Sequence, residues 1–278
     1  LKEAGVGARI ASSIICSLLF ADDIALMAHL PQNLQKLLDI VWMYGKKWHF
    51  SFGVSKCEVI KNSFCPNDDR CFKLGTSELK IVSSYKYLGI DETADPHKYQ
   101  DFIKRKWKSV RARIAKCRRV GGHIDGISNI ENRKLYLSQI RPIIEFGATT
   151  VPYCKAVLSE LERMQAEALR CLFGFYKHTK FETMFTFVGV PRMRCRVAQL
   201  KLCFYNKLKT FQDIYLSEIL RHAQQPLHGL RADIQKIFSE WSVNPKFAPL
   251  ASHDSLNTVQ DDLVAFNRLA KTIFESCD

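Results

Sequence analysis

Two adjacent carboxylates, Asp22 and Asp23, interrupt an otherwise apolar stretch from Ser12 to Ala28, SSIICSLLFADDIALMA. Ile14, Ile15, Leu18, Leu19 and Phe20 precede the pair, and Ile24, Leu26 and Met27 follow it. These β-favouring or bulky residues predict two buried strands that meet at a tight turn with the acids at its tip. Like charges between apolar strands are costly unless they are protonated, open on a cleft or are neutralised by a cation. Asp-Asp is also ordinary turn chemistry. The other such pairs have polar surroundings, however: Asp68-Asp69 follows Pro66 and Asn67, and Asp261-Asp262 follows Gln260. The residues therefore leave two readings of Asp22-Asp23. It is a plain turn, or it is a site for a hard divalent cation, Mg2+ or Mn2+, which takes carboxylate oxygens.

The string Phe20-Ala21-Asp22-Asp23 resembles the aromatic-X-Asp-Asp box of reverse transcriptases, in the form typical of non-LTR (LINE-like) retrotransposons. Lys56-Cys57-Glu58-Val59 resembles the family's lysine-bearing motif, and Tyr85-Lys86-Tyr87-Leu88-Gly89-Ile90 resembles its primer grip. Arg141-Pro142-Ile143-Ile144-Glu145-Phe146-Gly147, Leu161-Glu162-Arg163-Met164-Gln165 and Leu169-Arg170-Cys171-Leu172-Phe173-Gly174 are similar to its thumb and post-thumb segments. Several motifs in the family's order, over roughly Ser12 to Leu208, agree with one another. The resemblance implies an RNA-directed DNA polymerase in which Asp22 is the main metal ligand, Asp23 an auxiliary one, and Lys56 a partner of the departing pyrophosphate. Tyr87, Leu88 and Gly89 would form the primer grip. The implied partners are an RNA template and a DNA primer, with dNTP bound only with motifs that lie upstream of the box. Fingers, a first catalytic aspartate and a glycine-rich dNTP motif precede the box in the family; with about twenty residues before Asp22, the sequence reads as the C-terminal part of a longer polymerase.

Charge supplies an independent argument for the partner. From Lys98 to Arg141 there are thirteen Lys or Arg against three acids, a net +10 of the +13 carried by all 278 residues. Asp95-Pro96 reads as a helix start, and Tyr99, Phe102, Ile103, Trp107, Val110, Ile114 and Cys117 keep a helical period until Gly121-Gly122. Lys104, Arg105, Lys106, Lys108, Arg111, Arg113, Lys116, Arg118 and Arg119 occupy the remaining face. A solvated helix usually alternates both signs, whereas a nearly single-signed face suits the phosphates of a nucleic acid.

The rest of the chain reads as α+β. A helix follows Pro31 through Trp48, Lys56 to Ile60 is a short strand, and Cys71 to Val82 is a hairpin about Gly75 with one wet face. Ser128-x-x-Glu131 and Thr179-x-x-Glu182 are capping boxes, Pro142 predicts a kink, and Gly174 and Gly189 end helices. A helix from Pro191 carries Val197, Leu200, Phe204, Leu208 and Phe211 as its core stripe, and helical patterns recur at 214–223, 230–241 and 256–274. The resulting architecture is a partial polymerase palm at 1–91, a small antiparallel sheet plus a helix, then a helical thumb and connection at 92–212 and a helical tail at 213–278. The apolar run at Ile10 to Met27 contains serines and two acids and falls short of the ~20 residues of a membrane span. Ten scattered cysteines without CxxC or Cys/His zinc spacing suit reduced thiols, so the chain is expected in the nucleus or cytoplasm and not outside the cell.

A non-catalytic nucleic-acid-binding protein, a remnant of such an element or a module retained by a host, is the alternative. Since no third carboxylate is placed by the motifs, the purified chain is expected to bind nucleic acid without extending a primer. Primer extension above background that Asp22→Ala abolishes would overturn that expectation.

Overall fold

Helical and strand periodicities segregate along the chain, and so do the compact units they build. A computed structural model describes residues 5–10, 13–61, 71–93, 99–210 and 230–242. Among these, all strands and the first helix belong to one unit and the later helices to a second, so the fold is mixed α and β with small sheets.

In the first unit, β1 (Ala8–Ile10) pairs antiparallel with β2 (Ser13–Ile15), and β3 (Ser17–Phe20) pairs with β4 (Asp23–Leu26) in the register Ser17↔Leu26, Phe20↔Asp23. Helix α1 (Pro31–Lys47) begins on the proline, whose missing N–H costs nothing in a first turn. It buries Leu37, Leu38 and Val41. Strand β5 (Glu58–Ile60) runs parallel to β7 (Ser77–Val82), which pairs antiparallel with β6 (Phe72–Leu74); the order is β5-β7-β6. Leu38, Val59, Phe72, Leu74 and Leu79 form the core of this unit, with Leu26, Leu34, Trp42, Phe52 and Val54 packed around it. The alternation along β6 and β7 leaves Lys73 and Lys80 outside, the wet face expected from the sequence. Gly75 turns the hairpin at φ +66, and a Cβ there would collide with the Trp42 ring. Gln35 closes the free edge of β6: its amide donates to Lys73 O and accepts from Lys73 N, each at 2.9 Å. Strand β8 (Ser84–Tyr87) returns through Leu88-Gly89 into β9 (Ile90–Thr93).

Three expectations for this unit need correction. The sheet is not wholly antiparallel, because β5 joins β7 with the same chain direction. Lys56 is not on a strand; it ends a 3₁₀ turn, Val54–Lys56, whose bonds to Gly53 and Val54 carbonyls precede β5. Nor are the strands about the Asp pair buried: Leu19 is 67% and Phe20 63% exposed. Cys16 and Leu26 turn inward at the base of this two-stranded ribbon, but its tip projects past them. A bulky apolar composition does not by itself distinguish core from exposed apolar surface.

The second unit is helical: α2 (Gln100–Arg119), α3 (Asn129–Leu135), α4 (Arg141–Glu145), α5 (Lys155–Phe173), α6 (Phe181–Val188), α7 (Met193–Thr210) and α8 (Leu230–Ser242). The centre is α5, whose Leu161, Met164, Ala168, Leu169 and Leu172 are wholly buried against neighbouring helices. The Ser128 box forms as expected, with Ser128 Oγ accepting from Glu131 N and Glu131 accepting from Ser128 N. A π turn, Tyr136–Ile140, joins α3 to α4. Pro142 offers no N–H to the preceding turn, and the wider turn, closed by Arg141 N on Tyr136 O, absorbs the break. Gly174 and Gly189 end α5 and α6 in the left-handed conformation. The Thr179 box does not form, since α6 starts at Phe181 after Lys180 and Glu182 instead accepts from Arg192 at 3.0 Å. The core stripe of α7 is Met193, Val197, Ala198, Leu202 and Tyr205: Val197 is buried as expected, Leu200 and Leu208 are half-buried, Phe204 is 37% exposed, and Phe211 lies outside the described residues.

Lys106 is the largest departure. Assigned to the outer basic face, it is buried, and its Nζ donates to Ile143 O at 2.8 Å, Ile144 O at 2.9 Å and Phe146 O. The ammonium supplies three donors to carbonyls that helix α4 leaves open at its end. Lys201 does the same for the next segment, donating to Thr149 O at 3.0 Å, Val151 O at 2.7 Å and Asp233 Oδ2 at 2.9 Å. The expected Asp95-Pro96 start, the Asp68-Asp69 and Asp261-Asp262 pairs and the patterns at 214–223 and 256–274 lie outside the described residues.

Burial pushes the Lys106 pKa down to about 7 against an ordinary 10.5, with the Glu145 carboxylate opposing the shift. A base with its folded pKa below its unfolded one binds fewer protons when folded, so stability rises with pH between the two values. Thermal denaturation is expected to show stability climbing above about pH 7, by at most ~1.4 kcal/mol per pH unit for one lysine. Lys106→Met should flatten the climb, leaving the share due to Lys201, which burial also pushes down. An unchanged pH profile in Lys106→Met would contradict the assignment.

Candidate functional site

The carboxylate pair sits at the end of the β3–β4 hairpin, where Ala21 and Asp22 form a two-residue turn between the paired Phe20 and Asp23. Ala21 has φ +52. Two-residue hairpins use positive φ to match the strand twist, ordinarily with glycine; on alanine it costs on the order of 1–2 kcal/mol. Both carboxylates are exposed.

Two further motifs meet close to this tip. The Tyr85 hydroxyl donates to Lys56 O at 3.3 Å, tying the start of β8 to the 3₁₀ turn before β5. Burial raises the Tyr85 pKa, and the negative charges of Asp23, Cys57 and Glu58 raise it further. Asp23, the Lys56 segment and Tyr85 therefore share one electrostatic neighbourhood. The Lys56 side chain is exposed. Sequence reasoning missed the roles of the Tyr85 hydroxyl and of Glu58. The signal was available for the first, since Tyr85 and Tyr87 at i and i+2 lie on one face of a strand.

The grip candidate is the turn of the β8–β9 hairpin. Leu88 has φ +47 and Gly89 φ +85, with Tyr87 paired to Ile90. Positive φ at both central positions is the sign pattern of a type I′ turn, and that requirement accounts for the glycine. Leu88 adopts the same strained region and leaves its side chain 42% exposed at the tip.

On α2 the basic residues divide by environment. Lys106 is interior. Lys108, Lys116, Arg118 and Arg119 are exposed, and Arg105 is half-buried. Lys104 faces Asp101 at 3.4 Å, Arg111 pairs with Glu167 at 2.9 Å and Arg113 donates to Gln139 at 2.9 Å. Pairs as exposed as these stabilise a fold little, and they leave the cations open to a stronger anion. Between α2 and α5 runs a groove of about 950 Å³ lined by Lys104, Lys108, Arg111, Arg163 and Arg170, with Glu167 the one acid of its wall. Trp107, Cys171 and Phe181 complete the lining. Arg111 lies 4.8 Å from the Trp107 ring centre and Arg170 5.6 Å from that of Phe181. Arg163 and Arg170 escaped the sequence reading, although with Glu167 they repeat at i, i+4 and i+7, which is one stripe of a helix.

Asp22 and Asp23 offer hard oxygen donors in the open, a partial shell that suits a divalent cation retaining several waters. Among the described residues no group of three or more His, Cys, Asp or Glu is gathered for a metal. Among the described residues, none of the eight cysteines is in a disulfide. No helix among the described residues is long and apolar enough to cross a membrane. Comparison with models of known protein families finds no match, and comparison with curated protein sequences finds none either.

Because the Asp23 charge is one of the causes of the raised Tyr85 pKa, Asp23→Asn is expected to lower it. Tyrosine-selective NMR across alkaline pH, with Tyr85→Phe for assignment, reads the shift. A Tyr85 titration indifferent to Asp23→Asn would separate the hairpin tip from β8.

Proposed function

We propose that the chain is the palm and thumb portion of a reverse transcriptase of the non-LTR retrotransposon type, acting on an RNA template and a DNA primer. The observation that carries this reading is the Phe20-Ala21-Asp22-Asp23 hairpin. It supports the reading because the string resembling the polymerase box turns at Ala21-Asp22, exposes both acids and shares its surroundings with the Lys56 and Tyr85 motifs.

In that role Asp22 holds the cation and Asp23 assists. The cation these two carboxylates would hold, Mg2+ or Mn2+, would supply Lewis acidity at the primer 3′ hydroxyl and charge neutralisation at the leaving pyrophosphate. The exposed Lys56 ammonium offers charge or a proton to that pyrophosphate. Tyr85 holds the Lys56 backbone in place through its hydroxyl. The Leu88-Gly89 turn presents a narrow tip to the primer strand, and the exposed cations of α2 take phosphates, which give affinity without sequence information.

A non-catalytic nucleic-acid-binding protein is the second reading. The observation favouring it is that the cationic groove is built wholly within the helical unit and draws nothing from the carboxylates.

Two measurements on the whole chain test the proposal. An RNA–DNA hybrid should bind with log affinity falling linearly in log salt, and Lys108→Gln with Lys116→Gln should reduce the slope by roughly 0.9 for each phosphate that is no longer neutralised. Mg2+ at neutral pH should shift the backbone NMR resonances of the Ala21–Ile24 turn in the native chain and leave them unmoved in Asp22→Asn/Asp23→Asn. Hybrid binding without the Mg2+ response would favour the second reading, and salt-independent binding would defeat both.

A further inference from the structure

We propose that the α2–α5 groove is a site for a single-stranded segment of RNA or DNA, with phosphates on Lys108, Arg163 and Arg170 and one base stacked against the Arg170–Phe181 pair. The inference rests on the nucleic-acid reading above and adds the strandedness of the ligand. Width is the first argument. Helices α2 and α5 pack directly on each other, tied by Trp107 Nε1 donating to Glu160 at 2.8 Å and by Arg111 to Glu167. Helices packed in this way lie ~8–10 Å from axis to axis with their side chains in contact, so the groove is a narrow surface furrow that one strand can follow and a duplex cannot enter.

Charge is the second argument. The five cations of the wall face Glu167, and Asp101 and Glu160 touch Lys104 and Arg163 from its edges, so five positive groups still outnumber three negative ones. Lys104, Lys108 and Arg111 descend one side of α2 over seven residues, and Arg163 and Arg170 descend α5 over seven. At 1.5 Å per residue each row is ~10 Å long, a track for successive phosphates rather than a pocket for one.

The third argument is chemical. Arg170 Nε is buried with no hydrogen-bond partner among the described residues, while its guanidinium lies over Phe181. A flat cation on an aromatic ring is a surface on which any base stacks, and single-strand binders combine such platforms with a basic groove.

The test uses the full chain and two fluorescent probes, an oligouridine RNA of about twelve nucleotides, within the ~4–16 that a single-strand site spans, and a blunt RNA–DNA hybrid of equal length. Phe181→Leu should weaken oligouridine binding by roughly 5- to 150-fold, the loss of one stacked base, and hybrid binding less than about 2-fold. Arg163→Gln/Arg170→Gln should lower the oligouridine salt slope by about 1.4, two phosphates at ~0.7 each. This double variant keeps the test sharp if Phe181→Leu shifts the melting temperature. Equal losses on both probes, no loss on oligouridine, or an unchanged salt slope would each overturn the site. A chain that holds oligouridine through Phe181 but does not bind the hybrid keeps the groove and loses the polymerase reading; one that binds the hybrid alone loses the groove.

Discussion

Two buried ammonium groups hold the end of α4 and the irregular chain that follows it to Val151, and the helical unit is assembled about that segment. Lys106 reaches it from α2 and Lys201 from α7, and together they bond five of its carbonyls. Carbonyls removed from water without donors are costly, so an irregular stretch can be interior only if side chains substitute for the missing helix bonds. The same segment carries Glu145, which accepts from Arg141 at 2.9 Å and Arg196 at 2.7 Å. Asp233 extends the arrangement into α8, accepting from Lys201 and from Tyr153 N. A polar frame therefore sets the angle between α2, α4, α7 and α8, with the apolar face of α5 filling the space they leave.

The segments whose sequence resembles a thumb act mainly within this frame. Glu162 pairs with Arg192 at 3.1 Å. Gln165 donates to Pro191 O and accepts from Met193 N, both at 2.8 Å, so it joins α5 to the start of α7 where a proline leaves the backbone without a regular partner. Residues on one motif can hold a fold while their neighbours face a ligand: Arg163, one position from Glu162, points to the groove. The strand unit is built differently. Its core is small, and its hairpin tips carry strained residues, Ala21 and Leu88, where local geometry is set against propensity.

Much of the fold was legible from short-range rules. The 3.6-residue period, the Ser128–Glu131 box, Pro31 and the glycines at 174 and 189 each act within one or two turns, and each element formed where they stand. What was not legible depends on partners distant in sequence. The pairing of β5 with β7 joins residues more than twenty positions apart. Lys106 has the composition of a surface residue and becomes interior only because α4 ends opposite it. Arg163 and Arg170 join the α2 cations through packing that no local pattern encodes. The carboxylate hairpin was legible as a turn between strands, while its exposure depends on what its ribbon packs against.

The π turn at Tyr136–Ile140 has a consequence for how this sequence can vary in length. A π turn accommodates one residue more than the regular helix around it, and each residue added to or taken from a helix rotates everything beyond by roughly 100°. Ile144 and Glu145 lie just after it, one turned into the core and the other toward Arg141 and Arg196. The π turn takes up one residue locally, so removing a single residue there would restore regular helical pitch and leave both facing their partners, with Pro142 set against the carbonyl of the turn before it. The turn therefore works as a phase buffer: it lets the chain between Ser128 and Gly147 carry one residue beyond the helical count without turning Ile144 and Glu145 away.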